Sequence, residues 1–361
     1  MNEFLHIDFE QPHHQLIRWL EKAKDESLPE WQRHVFDFIA QWFDANTTIV
    51  QQSSGSTGTP KNIILKKSAM LASAQRTLQF FHLQKGASVW LCLPMNYIAG
   101  KMMLVRAIAG QLKLIVSEPA GTPLVPSIPI DFTAMVPLQV LGLTQNVRNF
   151  SHIKQLIIGG AGIDFTLQKA IQQLPTAVYA TYGMSETCSH IALQRLNGKN
   201  PDKAFNVLPG IAIGTNNKGC LSIDAPDLLD SKLETNDLIN ILSPGHFQWL
   251  GRSDFIINSG GIKISPEQLE KEISAIIQQE CFIVPQSDPI LGQRLVLVLE
   301  QKANITAENS MLQQIKKVLG KHRTPKAVYY MNEFPRNASM KIDRAKLIQN
   351  IKQQYGNSTD S

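Results

Sequence analysis

The chain has 361 residues, 43% of them apolar and 18% charged, with a formal net charge of +5. That length supports two or three domains around a sizeable core, and the composition is that of an ordinary globular protein. A charge this modest, with no long block of one sign, suits an anionic small ligand and argues against a nucleic-acid backbone as partner.

Cys92, Cys188, Cys220 and Cys281 have neither metal-ligand nor redox spacing, which predicts a reducing compartment. Met1-Asn2-Glu3-Phe4 has no basic n-region and no apolar h-region. The most apolar region, Val89 to Val116, is broken by Pro94, Asn96, Lys101 and Arg106 and is not a membrane span. The expected setting is cytoplasmic.

After a short extended start, residues 1–50 read as helical. Ser27-Leu28-Pro29-Glu30 has the form of a capping box with an early proline. Trp31, Val35, Ile39, Trp42 and Phe43 then recur at helical spacing, a stripe that reads as core.

Ser53-Ser54-Gly55-Ser56-Thr57-Gly58-Thr59-Pro60-Lys61 follows. Gly55 and Gly58 allow positive φ and close backbone approach, so several N–H groups can converge on one anion, with hydroxyl donors and the charge of Lys61 beside them. The P-loop pattern fails on spacing, because Pro60-Lys61 precedes Asn62. A flexible Ser/Gly linker is the alternative, disfavoured by the apolar run Ile63-Ile64-Leu65 directly after it. The loop points to a nucleotide polyphosphate and names no reaction.

Lys67 to Leu83 reads as a helix and Val89 to Leu93 as a buried strand ending in the turn Pro94 to Gly100. Lys101 to Ala109 is helical, with Lys101 and Arg106 on an apolar background; such cations either snorkel or receive a buried carboxylate, and pattern alone does not choose. Strands at 113–116, 132–136, 153–158 and 177–180 alternate with helices at 137–143 and 165–174, the order of a parallel sheet covered by helices. Ligands in such sheets lie outside the carboxyl ends of the strands. Gly159-Gly160-Ala161-Gly162 and Thr181-Tyr182-Gly183-Met184-Ser185-Glu186-Thr187 fall at two such ends. In the second, the ring suits a base and Glu186 suits Mg²⁺ beside a phosphate; a polar helix-capping turn reads equally well.

From Leu208 to Leu250 short strands broken by Gly, Asn and Pro form a small β-rich part. Asp237 there, at an expected strand end, suits a ribose diol or a plain turn. Gly251-Arg252-Ser253-Asp254 then makes a hinge into a last α+β unit, with a helix from Pro266, strands near Phe282 and Leu295, a helix at 310–319, a strand near Val328, then Pro335 to Ile342 and a polar, frayed tail.

Taken in order, these motifs resemble the adenylate-forming acyl-CoA synthetases, kin to firefly luciferase and to the adenylation domains of peptide synthetases. The likeness spans roughly residues 50 to 345 and rests on order and spacing. It implies an α/β fold: a large N-terminal domain, residues 1–252, with mostly parallel sheets and a small β-rich subdomain, and a small mobile α+β C-terminal domain, residues 253–361. It implies ATP, Mg²⁺ and CoA as cofactors or co-substrates, and a small carboxylic acid as substrate. Ser53, Ser54, Gly55, Ser56, Thr57, Gly58 and Lys61 would take the phosphates. Gly160, Thr181, Tyr182, Gly183 and Ser185 would surround adenine, Asp237 would take the ribose, and Arg252, in the hinge motif, would also bind the nucleotide. Glu186 would hold the metal, Asp254 would be the hinge, and Lys341, after Pro335-Arg336-Asn337, would serve adenylation.

Two stretches resemble the o-succinylbenzoate–CoA ligase branch, which serves menaquinone biosynthesis: the run Thr187-Cys188-Ser189 and the segment Pro94 to Arg106. That likeness places Arg106, Lys101, Tyr97, Gly159 and Ala161 at the acid, Arg106 first. Three features depart from the family pattern: the N-terminal region is reduced, Tyr97 stands where the family has a histidine, and Met340 stands where it has a glycine. Another acyl or aryl acid, a carrier protein as acceptor, and a non-catalytic nucleotide-binding module are the competing readings.

Overall fold

The structure, a computed structural model, describes residues 3–10, 12–52, 61–301, 305–336 and 342–355. The chain opens with strand β1 (Phe4–Asp8), helix α1 (Pro12–Ala23) and helix α2 (Glu30–Phe43). The aromatic stripe is core as predicted, with Val35, Ile39 and Trp42 buried. The capping box is not formed. Ser27 turns back onto Asp25, its hydroxyl donating to Oδ1 at 2.5 Å, and α2 starts behind Pro29, whose carbonyl takes the Gln32 N–H. A preset proline φ starts this helix without a side-chain cap.

β2 (Thr48–Gln52) and β3 (Asn62–Lys66) form a two-stranded antiparallel ribbon. Helix α3 (Lys67–Phe80), β4 (Ser88–Leu91), α4 (Ile98–Gly110), β5 (Lys113–Ser117), β6 (Ile130–Met135), α5 (Pro137–Thr144), β7 (Ile153–Ile158), α6 (Phe165–Ile171) and β8 (Ala177–Gly183) follow. Strands β5, β4, β6, β7 and β8 lie in that order and pair in parallel, with β1 antiparallel on the outer edge. Period-two alternation splits β4: Val89 and Leu91 face one apolar core, Trp90 and Cys92 another. Helices α2, α3 and α4 supply the first core, α5 and α6 the second.

The chain goes from β4 outward to β5, then crosses back to β6 on the other side of β4. That reversal makes a switch point, and the crevice it opens lies at the carboxyl ends of β4 and β6.

Beyond β8 the sheet turns antiparallel through β9 (His190–Arg195), β10 (Phe205–Val207), β11 (Ala212–Thr215), β12 (Cys220–Asp224), β13 (Leu233–Ser243) and β14 (His246–Arg252). These β-rich strands continue the same sheet, in the order β9-β10-β14-β13-β12-β11. A second sheet carries β15 (Ile257–Ser259), β16 (Ile262–Ile264), β17 (Cys281–Asp288), β18 (Gly292–Glu300) and β19 (Ala327–Met331), with helices α7 (Pro266–Ile277), α8 (Ile305–Leu319) and α9 (Arg344–Tyr355). The tail expected to fray is α9 over this span: Leu347 and Ile351 are buried against Val284, Val296 and Phe334. Two apolar residues four apart, in a polar stretch, hold it to the sheet.

Candidate active site

The carboxyl ends of β4, β7 and β8 supply part of the predicted residues, and β13 and β14 supply Asp237 and Arg252. After β4 the chain turns at Pro94 into α4, and the start of that helix presses on the turn: a Cβ on Gly100 would lie 2.3 Å from the Pro94 carbonyl oxygen. Gln51, at the end of β2, donates through Nε2 to the carbonyls of Asn96 at 3.0 Å and Gln52 at 2.7 Å. The turn is thereby tied to the stem of the predicted phosphate loop. Ser53, Ser54, Gly55, Ser56, Thr57 and Gly58 lie outside the described residues. Lys61 is exposed at the mouth of β3, and β3 packs on the single 3-10 turn Ser185–Thr187.

Gly159, Gly160 and Ala161 make a ledge past the end of β7, with Gly160 at φ +85°. The Thr181 hydroxyl donates to the Ile158 carbonyl at 3.1 Å and stands 2.3 Å from where a Gly159 Cβ would be. Only glycine fits beneath it. The strand carrying Thr181 runs three residues longer than predicted, because β8 pairs with β9 as far as Gly183. Thr181, Tyr182 and Gly183 are therefore strand residues, not a following turn.

Tyr182 packs edge-on against Phe205 and Phe247, at centroid distances of 5.9 and 5.3 Å. Its hydroxyl donates to Asp237 Oδ2 at 2.7 Å. Burial, and then the charge of Asp237, push the Tyr182 hydroxyl far up, so it stays a donor. Asp237 lies inside β13, not at its end, and its other oxygen takes the Trp249 indole N–H at 3.1 Å. The sequence did not single out Trp249. It reaches Asp237 across the β13–β14 register, which places Arg252 opposite Asp237. Arg252 in turn donates to Asp254 at 2.5 Å, joining the residues proposed for ribose and hinge.

Glu186 is exposed on the turn beside β3 and makes no ion pair among the described residues. Magnesium in a nucleotide site takes one or two carboxylates and fills its shell with phosphate and water. One unpaired carboxylate near the stem of the loop fits that donor set. The described residues hold no cluster of three metal-ligating side chains that would make a site of protein groups alone.

On α4, Arg106 is 2% exposed. Its Nε donates to Thr77 Oγ1 at 3.1 Å and its Nη2 to Ser189 Oγ at 2.7 Å. No carboxylate lies within ion-pair reach of it among the described residues. Burial pushes the guanidinium down to about 9. Ser189 follows a γ-turn: Cys188 has φ 62° and ψ −39°, and the Ser189 N–H donates to the Thr187 carbonyl at 2.7 Å. This turn crosses Gly183, whose Cβ would lie 2.3 Å from the Ser189 carbonyl oxygen. Arg106 is thus attached, through Ser189, to the strand that carries Thr181 and Tyr182.

Lys101 is not brought to Arg106. Five residues along a helix turn it to another face, and its Nζ lies 5.8 Å from the centroid of the Phe38 ring. Burial lowers its pKa. Tyr97 is the half-buried residue before α4, its N–H on the Pro94 carbonyl at 3.3 Å. Lys341 lies outside the described residues.

Residues 7–214 match the AMP-binding enzyme family. The 2-succinylbenzoate–CoA ligase of Bacillus cytotoxicus is 27% identical over 347 residues, which cover 84% of this chain and 70% of that protein. The enzyme of the same description from Salmonella typhimurium is 25% identical, over 88% of this chain and 72% of its own. Among solved structures, an acyl-CoA synthetase (AMP-forming)/AMP-acid ligase II-like protein from Dyadobacter fermentans is 32% identical, with a TM-score of 0.63 over 96% of this chain and 99% of that one. The o-succinylbenzoate–CoA synthetase of Bacillus subtilis, solved with ATP and magnesium, shares the fold: its TM-score is 0.68 at 18% identity, over 94% of this chain and 83% of that one.

Proposed function

This chain belongs to the AMP-binding enzyme family, and from that premise we propose that it joins o-succinylbenzoate to CoA through an acyl-adenylate. The wider activity, adenylate-forming acyl-CoA ligation, goes with the family. The particular acid rests on Arg106. A buried cation held only by two hydroxyls is costly unless a ligand supplies the missing charge. A guanidinium is suited to a carboxylate through paired N–H bonds. A substrate with two carboxylates can put one there while the other reacts. The curated relatives of this description support the same acid.

In the first half-reaction a carboxylate oxygen attacks the α-phosphorus of ATP, and the bond to the bridging oxygen of pyrophosphate breaks. In the second, the CoA sulfur attacks the acyl carbon; AMP leaves with the electron pair and the thiol proton is lost to solvent. Bringing an anion to a polyanion demands preorganised positive charge and N–H donors. We assign the phosphates to Ser53–Lys61, adenine to Gly160 and Tyr182, ribose to Asp237 and the reacting carboxylate to Lys341. Glu186 would hold Mg²⁺, which neutralises phosphate charge when bound. The division between the two bodies is placed after Arg252, with residues 253–361 turning about Asp254 between the half-reactions.

The test is pyrophosphate release with ATP and Mg²⁺, comparing o-succinylbenzoate with a panel of benzoates and fatty acids, with and without CoA. Selective turnover of o-succinylbenzoate to its CoA thioester is expected. Turnover of a monocarboxylic acid at equal kcat/KM would overturn the substrate while leaving the reaction.

A further inference from the structure

Behind Arg106 the structure closes a ring of four polar groups, three of them buried and Ser189 partly so. Arg106 reaches Thr77 and Ser189 as described. His190, the first residue of β9 and 5% exposed, completes it. Its Nε2 lies 3.3 Å from Thr77 Oγ1 and its Nδ1 lies 3.3 Å from Ser189 Oγ. Both hydroxyls that hold the guanidinium are therefore held by one imidazole.

Donor and acceptor counting selects one arrangement. Thr77 Oγ1 accepts from Arg106 Nε and lies 3.3 Å from the Ser73 carbonyl, which takes its proton. It has a lone pair for His190 Nε2–H. Nδ1 is then the acceptor, and it takes the Ser189 hydroxyl proton. Ser189 Oγ keeps its lone pairs for Arg106 Nη2–H. Both hydroxyls and both ring nitrogens are satisfied with the ring neutral and the proton on Nε2. A second proton on Nδ1 would turn a donor against the Ser189 oxygen and place two cations side by side. Burial, and then Arg106, hold the imidazole well below its ordinary value, which agrees with that count.

We propose that His190 is a positioning residue for the acid: a neutral imidazole that fixes Thr77 and Ser189, and through them the guanidinium that receives the second carboxylate. It supports Arg106 without neutralising it, as an aspartate or glutamate in its place would. The remaining guanidinium nitrogen, Nη1, makes no hydrogen bond among the described residues and is the donor available to the ligand. The proposal rests on the reading of Arg106 as the carboxylate receiver.

The experiment compares the wild-type protein with His190→Ala, His190→Gln and Arg106→Ala on two probes, o-succinylbenzoate and 4-oxo-4-phenylbutanoate, which lacks the ring carboxylate. The readouts are KM and kcat for each acid and KM for ATP. In His190→Ala the KM for o-succinylbenzoate rises by about 10-fold or more, the scale of one charged hydrogen bond, and kcat changes much less. The selectivity ratio between the two acids falls by a similar factor, while KM for ATP stays put. His190→Gln, with one donor and one acceptor on a neutral amide, restores part of the ratio. Equal loss on both acids, or a matching rise in KM for ATP, would make His190 merely structural and overturn the proposal. So would a large effect of Arg106→Ala with none of His190→Ala. If Arg106→Ala leaves the selectivity unchanged, the reading of Arg106 falls first. Should His190→Ala fail to fold, the Gln variant carries the test: full loss of the ratio with folding intact would show that the imidazole geometry is required, and an unchanged ratio with no rise in KM would overturn the proposal.

Discussion

Asp237 has a donor on each carboxylate oxygen, Tyr182 on Oδ2 and Trp249 on Oδ1. Each oxygen can accept a second bond, so the pair orients the carboxylate and leaves it capacity for the ribose diol proposed for it. The two donors are not equivalent. The Tyr182 hydroxyl is largely buried, whereas Trp249 is 38% exposed and competes with water. Removing a buried donor from a charge costs about 1.5–3 kcal/mol, and an exposed one much less. Tyr182→Phe should therefore raise KM for ATP by about 10-fold or more, and Trp249→Phe by only about 2-fold to 5-fold. Steady-state kinetics at saturating acid measure both. An effect of either variant confined to the acid would separate Asp237 from the ribose.

At the scale of the element, the end of β14 and the start of α7 lock together around Gly251. Ser265 Oγ donates to the Leu250 carbonyl at 2.5 Å, and the Glu267 carboxylate takes the Arg252 N–H at 3.4 Å. Gly251 has φ +125°, and a Cβ there would meet Ser265 Oγ at 2.4 Å and Glu267 Oε2 at 2.7 Å. An alanine would be strained by its backbone and would also push away the groups that fasten β14 to α7. Gly251→Ala should lower stability by about 2 kcal/mol or more and make this junction cleavable by trace protease. Urea denaturation and limited proteolysis read the two effects, and an unchanged midpoint would mean that the latch carries no weight.

Elements with strong local signals were legible before the structure. The β4 strand, the Pro137 helix and the sheet–helix alternation follow from apolar runs and prolines read locally. What could not be read depended on cross-strand register. The reach of β8 to Gly183 is set by β9, and Trp249 meets Asp237 only once β13 and β14 are paired. Arg106 could be singled out, and helical periodicity already sets Lys101 on another face, but the bond of Arg106 to Ser189 could not be read because it depends on how α4 packs against the β8–β9 turn. Helix α9 was missed because two buried residues among polar ones resemble a tail until the sheet beneath them is known.

At the scale of the whole molecule, charges from distant parts of the chain meet. Glu280, after α7, is pushed up to about 7, by burial first and then by Asp164, the residue that caps α6; Arg336 opposes this and Glu300 and Glu270 add to it. A carboxylate raised above its unfolded value of 4.5 keeps a proton in the folded protein that the unfolded chain has already lost. Its contribution is therefore fully present below that value and is lost as pH rises through about 7. Glu280→Gln should flatten the fall in urea midpoint across this window, and a slope identical to wild type would remove Glu280 as its cause.

On either side of Lys341 the described residues are held to one another. Arg336 and Ile342 pair with each other, and the Asp343 N–H donates to the Pro335 carbonyl at 2.8 Å. Arg344 then anchors the far side: Nη2 donates to Glu270 at 2.6 Å, Nη1 to the Ile283 carbonyl at 3.2 Å, and its guanidinium lies over Phe255 and Phe282. The proposed role of Lys341 is in the half-reaction that brings it to the α-phosphate. If that half-reaction is adenylation, Lys341→Ala should lower acid-dependent pyrophosphate release by about 10²-fold or more, the scale of one preorganised charge at a reacting centre. Thioester formation from preformed acyl-adenylate and CoA should fall by no more than a few-fold. Following CoA thioester in a quenched single turnover, started once from ATP and acid and once from the adenylate, separates the two. Equal loss in both would place Lys341 in the fold of the second body and leave the chemistry of adenylation to the phosphate loop.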